Sequence, residues 1–166
     1  MRLVIDGYNL IHHCLELALA HERGRGREAL VEALRLYRKK RPHRVTVVFD
    51  GGLEPGGQRT SLAGLPVIFS GAARSADDVI ADLARQEGRG LTVITSDHGL
   101  ADRCCLHGAV VLDSNEFGLR LMEAALGAAP PEEGGDEGWD FSTKKKGPAR
   151  RLPKAQRQKA RRKGRL

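Results

Sequence analysis

Acidic side chains in this sequence recur directly after short apolar runs. The first eleven residues, MRLVIDGYNLI, hold the clearest case, because Asp6 ends an apolar run and is followed by Gly7 and then Asn9. A β-branched run this short, bounded by glycine, is typical of a buried strand. Ligands of open α/β sheets bind outside the carboxyl ends of the strands. Asp6 is therefore predicted to lie where a ligand would bind.

Further acids occupy comparable places, at strand ends and in the first turns of predicted helices: Asp50, Asp77, Asp78, Asp97 and Asp102. Carboxylates gathered in one crevice repel one another unless a cation neutralises them. Hard oxygen ligands suit Mg²⁺ or Mn²⁺. One or two such ions can bind a scissile phosphate, activate a water molecule and stabilise the leaving oxygen. The pattern predicts phosphodiester hydrolysis.

Each of these acids also has a structural interpretation. Asp50 and Asp97 are typical turn or capping residues, and Asp77 and Asp78 would favour the dipole of a helix that begins there. Asp102 is typical of a solvated helix surface. Caps need not gather at one sheet edge, so the joint placement favours the functional interpretation.

Three polar residues are candidates for supporting roles. Ser75 and Ser96 are expected to be helix caps first and ligands second. The amide of Asn9 is expected either to complete a turn or to hold a phosphate or a neighbouring carboxylate.

The elements that must position these residues alternate between strand and helix. Apolar runs predict strands at 3–5, 45–49, 66–69, 91–95 and 110–112, and helical spacing predicts helices at 12–22, 27–40, 75–86, 98–107 and 115–126. Residues 51–64, rich in glycine, are predicted to be a loop. Continuously apolar strands alternating with helices predict an α/β fold: a mostly parallel sheet of about five strands with helices on both faces.

Charge divides the chain into two parts. Residues 142–166 hold 12 of the 28 Lys and Arg and none of the 21 acids, so residues 1–141 carry a net charge of −5. We expect a folded domain over 1–127 and an acidic, then basic, disordered tail over 128–166, because the tail lacks the apolar periodicity of a packed core. No signal peptide and no membrane span are apparent, so a cytoplasmic location without membrane contact is expected.

Four motifs together resemble the NYN domain, a branch of the PIN-like nuclease superfamily: DGYNLI at 6–11, VVFDGG at 47–52, SADDVI at 75–80 and VITSDHGLADR at 93–103. Their order and spacing are most similar to the bacterial YacP-like group. The resemblance covers about residues 1–126. It implies a PIN-like fold and a Mg²⁺- or Mn²⁺-dependent endoribonuclease that cuts single-stranded RNA. It also implies the ribosome as a partner and ribosome-bound messenger RNA as a substrate.

Carried over by motif, the resemblance implies a division of roles among the acids. Asp6, Asp78 and Asp97 match metal ligands, with Asp50 and Asp102 in support. Asp77 matches either a ligand or a residue that orients water. The implied catalytic set is Asp6, Asp77, Asp78 and Asp97.

Basic residues are candidates for RNA binding, because each Lys or Arg that neutralises a phosphate releases a counterion. The alternative for the tail is an unstructured, solubilising end. The candidates are Arg59, Arg74, Lys144, Lys145, Lys146, Arg150 and Arg151.

Other function classes are open or disfavoured. A non-catalytic RNA-binding or ribosome-associated module with the same fold is the main alternative. A haloacid dehalogenase-type phosphatase needs an Asp two positions after the nucleophile, where this chain has Tyr8. Nucleotide-binding glycine motifs are absent. The sequence leaves open the oligomeric state and the choice between Mg²⁺ and Mn²⁺.

Overall fold

A computed structural model describes residues 1–127. Within that range, six β-strands and six α-helices form one α/β unit. The strands are β1 (Arg2–Asp6), β2 (Arg44–Phe49), β3 (Gln58–Leu62), β4 (Leu65–Phe69), β5 (Leu91–Ile94) and β6 (Val110–Leu112). The helices are α1 (Gly7–His13), α2 (Leu15–Glu22), α3 (Gly26–Lys40), α4 (Ala76–Glu87), α5 (His98–Leu106) and α6 (Ser114–Leu126). None of these helices is long and apolar enough to cross a bilayer.

The sheet has the strand order β3-β4-β2-β1-β5-β6 and is parallel except for β3. After β1 the chain adds β2 and β4 on one side and later β5 and β6 on the other. The order therefore reverses between β1 and β5, and ligands of open α/β sheets bind at such a switch point. The predicted mostly parallel α/β fold is confirmed.

Both faces of the sheet are covered, as the continuously apolar strands predict. Successive side chains of a strand point to opposite faces. Leu3 and Ile5 of β1 belong to one core, which α1, α2, α3 and α6 cover, and Val4 belongs to the other, which α4 and α5 cover. The sheet is thus a rigid, two-sided support for the loops at its carboxyl edge.

One strand more is present than the sequence predicts. Residues 51–64 were expected to form a loop, but Gln58–Leu62 pairs antiparallel with β4. The strand is an edge strand with no fully buried residue, so it lacks the apolar run by which the others are identified. Ala63 and Gly64 form its two-residue turn, both at positive φ (48° and 78°), which is typical of a tight hairpin.

The first helical region also differs from the prediction. A single helix over 12–22 was expected, but α1 begins at Gly7, directly after β1, and α2 follows after an extended Cys14. Asp6 caps α1, because its side chain accepts a hydrogen bond from the backbone N–H of Asn9. At the other end of the domain, α6 begins at Ser114 and Asp113 caps it.

Gly7 allows this abrupt change from strand to helix. A Cβ atom at Gly7 would overlap the buried ring of Phe49. The close approach places the start of α1 directly over the end of β2, and so brings Asp6 near the loop that follows β2. The tail predicted over 128–166 lies outside the described residues.

Candidate active site

Asp6 lies at the carboxyl end of β1, beside the switch point. Its Oδ1 accepts a hydrogen bond from the backbone N–H of Asn9 (3.2 Å) and its Oδ2 accepts one from the Thr95 hydroxyl (3.3 Å). The residue is only 8% exposed. Burial, together with the nearby negative charges of Asp77 and Asp50, raises the pKa of Asp6 to about 6 despite both hydrogen bonds. Such a shift marks a carboxylate held where its charge is unfavourable.

Asp77 is also close enough to other acids for their negative charges to act on its carboxylate. It lies in the first turn of α4 and is half-buried. Burial raises its pKa, and the charges of Asp97, Asp50 and Asp78 raise it further. We call Asp6, Asp50, Asp77 and Asp97 the acidic cluster, since they act on one another electrostatically although they come from four separate loops or helix starts.

Asp50 connects the end of β2 to the start of α4. Its Oδ1 accepts hydrogen bonds from the backbone N–H of Ala76 (2.7 Å) and from the Ser70 hydroxyl (3.1 Å). The Ser70 oxygen in turn accepts one from the N–H of Gly51. Asp50 therefore follows a strand end, as the sequence predicts, and its side chain also has the structural role of holding the start of α4.

Asp97 caps α5 and is exposed. Its Oδ1 accepts a hydrogen bond from the N–H of Leu100 (2.7 Å), and its own N–H donates to Thr95 Oγ1 (3.1 Å). Thr95 therefore connects Asp97 to Asp6 directly. One oxygen of Asp97 has no part in the cap and can face a ligand.

Asp78, the neighbour of Asp77 in the first turn of α4, is joined to α5. Its Oδ1 accepts a hydrogen bond from the Arg103 guanidinium (2.8 Å), and its N–H donates to Ser75 Oγ (3.1 Å). The bond to Arg103 lowers the pKa of Asp78. Ser75 is therefore the helix cap that the sequence predicted. Asp102 is exposed on α5, and the described hydrogen bonds and ion pairs do not connect it to the other carboxylates.

Asn9 and Ser96 belong to a polar network that joins α1, β5 and α6. Asn9 Oδ1 accepts hydrogen bonds from the N–H of Ser96 (2.9 Å) and from the Ser114 hydroxyl (2.7 Å). The Ser96 hydroxyl donates to Asp113 (2.7 Å). The prediction that Ser96 caps a helix is therefore wrong, because Asp97 caps α5. The side-chain oxygen of Asn9 thus holds protein groups, and only its NH₂ group is left for a phosphate or a carboxylate.

Two of the predicted RNA-binding arginines, Arg59 and Arg74, lie within the described residues. Arg74 forms an ion pair with Asp82 on α4. Arg59 is exposed on β3 and lines a shallow groove with Arg2 on the α4 face of the sheet. Residues Lys144, Lys145, Lys146, Arg150 and Arg151 lie outside the described part of the chain.

Sequence reasoning missed three residues that position the site: Thr95, Ser70 and Arg103. Thr95 and Ser70 are buried polar residues at the ends of apolar strands, a signal that could have drawn attention to them. Arg103 contacts Asp78 from the next helix, and no local sequence pattern predicts that contact.

The donor set suits a hard divalent cation. Mg²⁺ keeps several waters and is usually bound through one or two carboxylates, whereas Zn²⁺ is bound mainly by His and Cys. Within residues 1–127, however, no group of three or more His, Cys, Asp or Glu side chains is arranged so that it could hold a metal ion. The metal ligands that the resemblance implies, Asp6, Asp78 and Asp97, therefore stay a prediction.

Comparisons with known proteins agree on one family. The family model for the YacP-like NYN domain matches residues 3–161. The chain is similar to the crystal structure of Rae1 (YacP) from Bacillus subtilis, with 26% identity, 75% of each chain covered and a TM-score of 0.61. It is also similar to a mutant form of that protein, with 24% identity, 75% of this chain and 76% of that chain covered, and a TM-score of 0.62. The search of curated proteins found no match. The chain belongs to the YacP-like NYN domain family, which is nuclease-like.

Proposed function

We propose that this protein is a Mg²⁺- or Mn²⁺-dependent endoribonuclease that hydrolyses phosphodiester bonds of single-stranded RNA. The observation that carries the proposal is the acidic cluster at the switch point, where mutual repulsion and burial raise the pKa values of Asp6 and Asp77. Membership in a nuclease-like family supports the hydrolase class.

The chain's own residues have distinct parts in this proposal. Asp6 is the most constrained carboxylate, because the backbone of Asn9 and the hydroxyl of Thr95 fix both of its oxygens. Asp77 faces Asp6 from α4 and is the candidate to orient water. Asp97 completes the cluster from α5. When bound, the divalent cation supplies the positive charge that the carboxylates lack and stabilises charge on the scissile phosphate.

Asp50 and Asp78 are assigned positioning roles near the cluster. Asp50 fixes the start of α4, on which Asp77 lies, through its bond to the N–H of Ala76. Asp78 holds Arg103 beside the cluster, and the positive charge of Arg103 offsets part of the repulsion on Asp77. Arg103 is thereby also placed near an incoming phosphate.

The proposed substrate includes messenger RNA on the ribosome, which the family resemblance suggests. The alternative, a non-catalytic RNA-binding module, is favoured by the structural hydrogen bonds of Asp50 and Asp97, which would exist without catalysis. Cleavage assays distinguish the two functions.

The test is cleavage of an end-labelled, unstructured RNA by the full chain in Mg²⁺ or Mn²⁺. Wild type is compared with Asp6→Asn and Asp77→Asn, each checked for folding by circular dichroism. Glu87→Gln is the matched control, because Glu87 lies at the far end of α4 and pairs with Arg2.

We expect metal-dependent cleavage by wild type and by Glu87→Gln, and a loss of at least about a hundredfold in both Asp variants, the scale of an essential catalytic group. Equal cleavage by all four proteins would place the activity elsewhere. Absence of cleavage with free RNA and with translating ribosomes, despite RNA binding, would establish the binding module.

A further inference from the structure

A row of ring side chains runs along the carboxyl edge of the sheet, beside the acidic cluster. The buried ring of Phe49 is at its centre. Tyr8 packs edge-on against Phe49 on one side (centroids 5.2 Å apart), and Phe69 stacks on it on the other (5.9 Å). Beyond Tyr8, the rings of His21 (6.1 Å from Tyr8) and His12 (5.2 Å from His21) continue the row.

The row is joined to the candidate active site at three places. Tyr8 is two residues after Asp6 and Phe49 directly precedes Asp50. Phe69 precedes Ser70, whose hydroxyl donates a hydrogen bond to Asp50. Tyr8 and Phe69 pack against the core that α1, α2, α3 and α6 cover, whereas Asp77 lies on α4, which covers the other face. RNA with a phosphate at the acidic cluster would therefore reach these rings by crossing the carboxyl edge of the sheet.

Most of the row is accessible. Tyr8 and Phe69 are half-buried and His12 and His21 are exposed, so only Phe49 is fully enclosed. Tyr8 makes edge contacts with Phe49 and His21, while Phe69 is stacked on Phe49 and has the Arg27 guanidinium over its ring. A base would therefore stack on Tyr8, or on the Arg27 guanidinium that the Phe69 ring supports. Fixed rings are the form in which proteins offer stacking surfaces to unpaired bases.

Positive charge lies along the same side. The Arg27 guanidinium lies over the Phe69 ring, 6.0 Å from its centroid. Arg23 and Arg25 are exposed in the turn between α2 and α3. Arginine beside a stacking ring can bind phosphate or lie on a base, so the row combines both kinds of contact that single-stranded nucleic acid uses.

A groove opens at the Phe69 end of the row. It has a volume of about 450 Å³ and is lined by Arg27, Val31, Leu62 and Phe69, with two acids, Glu28 and Glu32, in one wall. This is within the range of small-ligand sites, roughly 300–1,000 Å³. Glu32 is paired with Arg35, and carboxylates of this kind accept hydrogen bonds from base amino groups.

We propose that Tyr8 and Phe69, with Arg27, form a stacking subsite that holds the unpaired bases next to the scissile phosphate. The inference rests on the proposed ribonuclease function, because it takes RNA as the ligand. The acidic cluster acts on the phosphate and does not recognise bases. The stacking subsite would bind bases only when they are unpaired, and so would favour single-stranded RNA over a duplex. It also assigns Tyr8 a positioning role rather than a catalytic one.

The test is equilibrium binding of RNA to the full chain carrying Asp6→Asn, in Mg²⁺. The probe is an oligonucleotide of about ten nucleotides, within the site sizes of single-strand binders, with 2-aminopurine at successive positions. Stacking on an aromatic ring quenches this base, so the signal reports ring contact rather than charge. An oligonucleotide of the same length with abasic sites keeps the phosphates and removes the bases.

Tyr8→Leu and Phe69→Leu keep apolar volume and remove the ring. We expect each to weaken binding about tenfold and to abolish quenching at one position, while Tyr8→Phe retains both. Arg27→Ala should weaken binding of the intact and the abasic oligonucleotide alike. The matched controls are Arg41→Ala, at the opposite end of α3, and His107→Ala, at the end of α5.

The outcomes separate this inference from the proposed function. Unchanged quenching in Tyr8→Leu and Phe69→Leu, with RNA still cut by wild type, would overturn the subsite and leave the nuclease standing. Quenching lost in both variants, with no cleavage by wild type, would support the subsite on a non-catalytic module. No RNA binding by wild type would overturn both.

Discussion

At the scale of single residues, the role proposed for Asp6 opposes the stability of the fold. Its carboxylate is 8% exposed, faces Asp77 and Asp50, and has a pKa raised to about 6. Folding therefore favours its protonated form, and the ionised form that a cation would need is present at neutral pH at the expense of stability.

Replacement of Asp6 by Asn should remove the cost of burying a charged carboxylate. Above its folded pKa, Asp6 is ionised in both states, and a pKa raised from 3.8 to about 6 corresponds to a loss of about 2–3 kcal/mol of folding free energy. The loss is absent below pH 3.8 and develops as pH rises to about 6. We expect Asp6→Asn, without divalent cations, to exceed wild type in stability by an amount that grows over this pH range. Urea unfolding at several pH values measures it, and a pH-independent difference would contradict the explanation.

A bound cation should reduce that difference in stability between Asp6→Asn and wild type. Ligands that bind only the folded state raise its stability by mass action, about 2.7 kcal/mol at one hundred times Kd. Mg²⁺ or Mn²⁺ should therefore raise the Tm of wild type and raise that of Asp6→Asn much less. Ca²⁺ and a matched concentration of NaCl control for general ionic effects. An equal rise in both proteins would indicate that Asp6 takes no part in metal binding.

At the scale of elements, the hairpin of β3 and β4 places Phe69 and the start of the α4 connection. The hairpin depends on a two-residue turn in which Ala63 has φ 48°. This left-handed region is unfavourable for alanine and more accessible to asparagine.

Ala63→Asn should stabilise the fold by about 0.5–1 kcal/mol, because asparagine is favoured in such turns. Ala63→Val should destabilise it by a similar amount or more, since a β-branched residue is poorly tolerated at positive φ. Chemical denaturation of the three proteins measures both changes. Stabilisation by valine would show that the turn has another conformation.

The packing of α4 against α5 determines where the positive charge of Arg103 lies. The Asp78–Arg103 ion pair joins the two helices, yet both side chains are 47% exposed. Exposed ion pairs contribute little to stability, because water and salt screen their charges. The pair therefore matters mainly for where it places a positive charge, next to Asp77.

At the scale of the whole molecule, the sequence divides into an acidic N-terminal part and a basic C-terminal segment. Residues 1–141 carry −5 and residues 142–166 carry twelve positive charges. A polyanion would be repelled by the acidic cluster unless cations and arginines compensate. The basic segment is the predicted source of long-range attraction to RNA.

The predicted contribution of that segment can be measured by salt dependence. Replacing Lys144, Lys145 and Lys146 by alanine should make the slope of log affinity against log salt shallower by about 2, at about 0.7 per phosphate contact in single strands. The matched control replaces Lys39, Lys40 and Arg41, at the end of α3. Equal changes in slope from both triple variants would indicate that net charge alone, and not this segment, determines RNA affinity.

The sequence by itself determined the parallel α/β sheet and the Ser75 cap, because apolar runs and capping patterns are local. It also determined that five of the acids lie at strand ends or helix starts: Asp6, Asp50, Asp77, Asp78 and Asp97. Only the tertiary structure decided that Gln58–Leu62 is a strand, since an exposed edge strand is recognisable only from the neighbour that pairs with it. It likewise decided that Asp78 pairs with Arg103, 25 residues away, while Asp77 faces the acidic cluster. Those contacts depend on how α4 and α5 pack, and no local pattern encodes that packing.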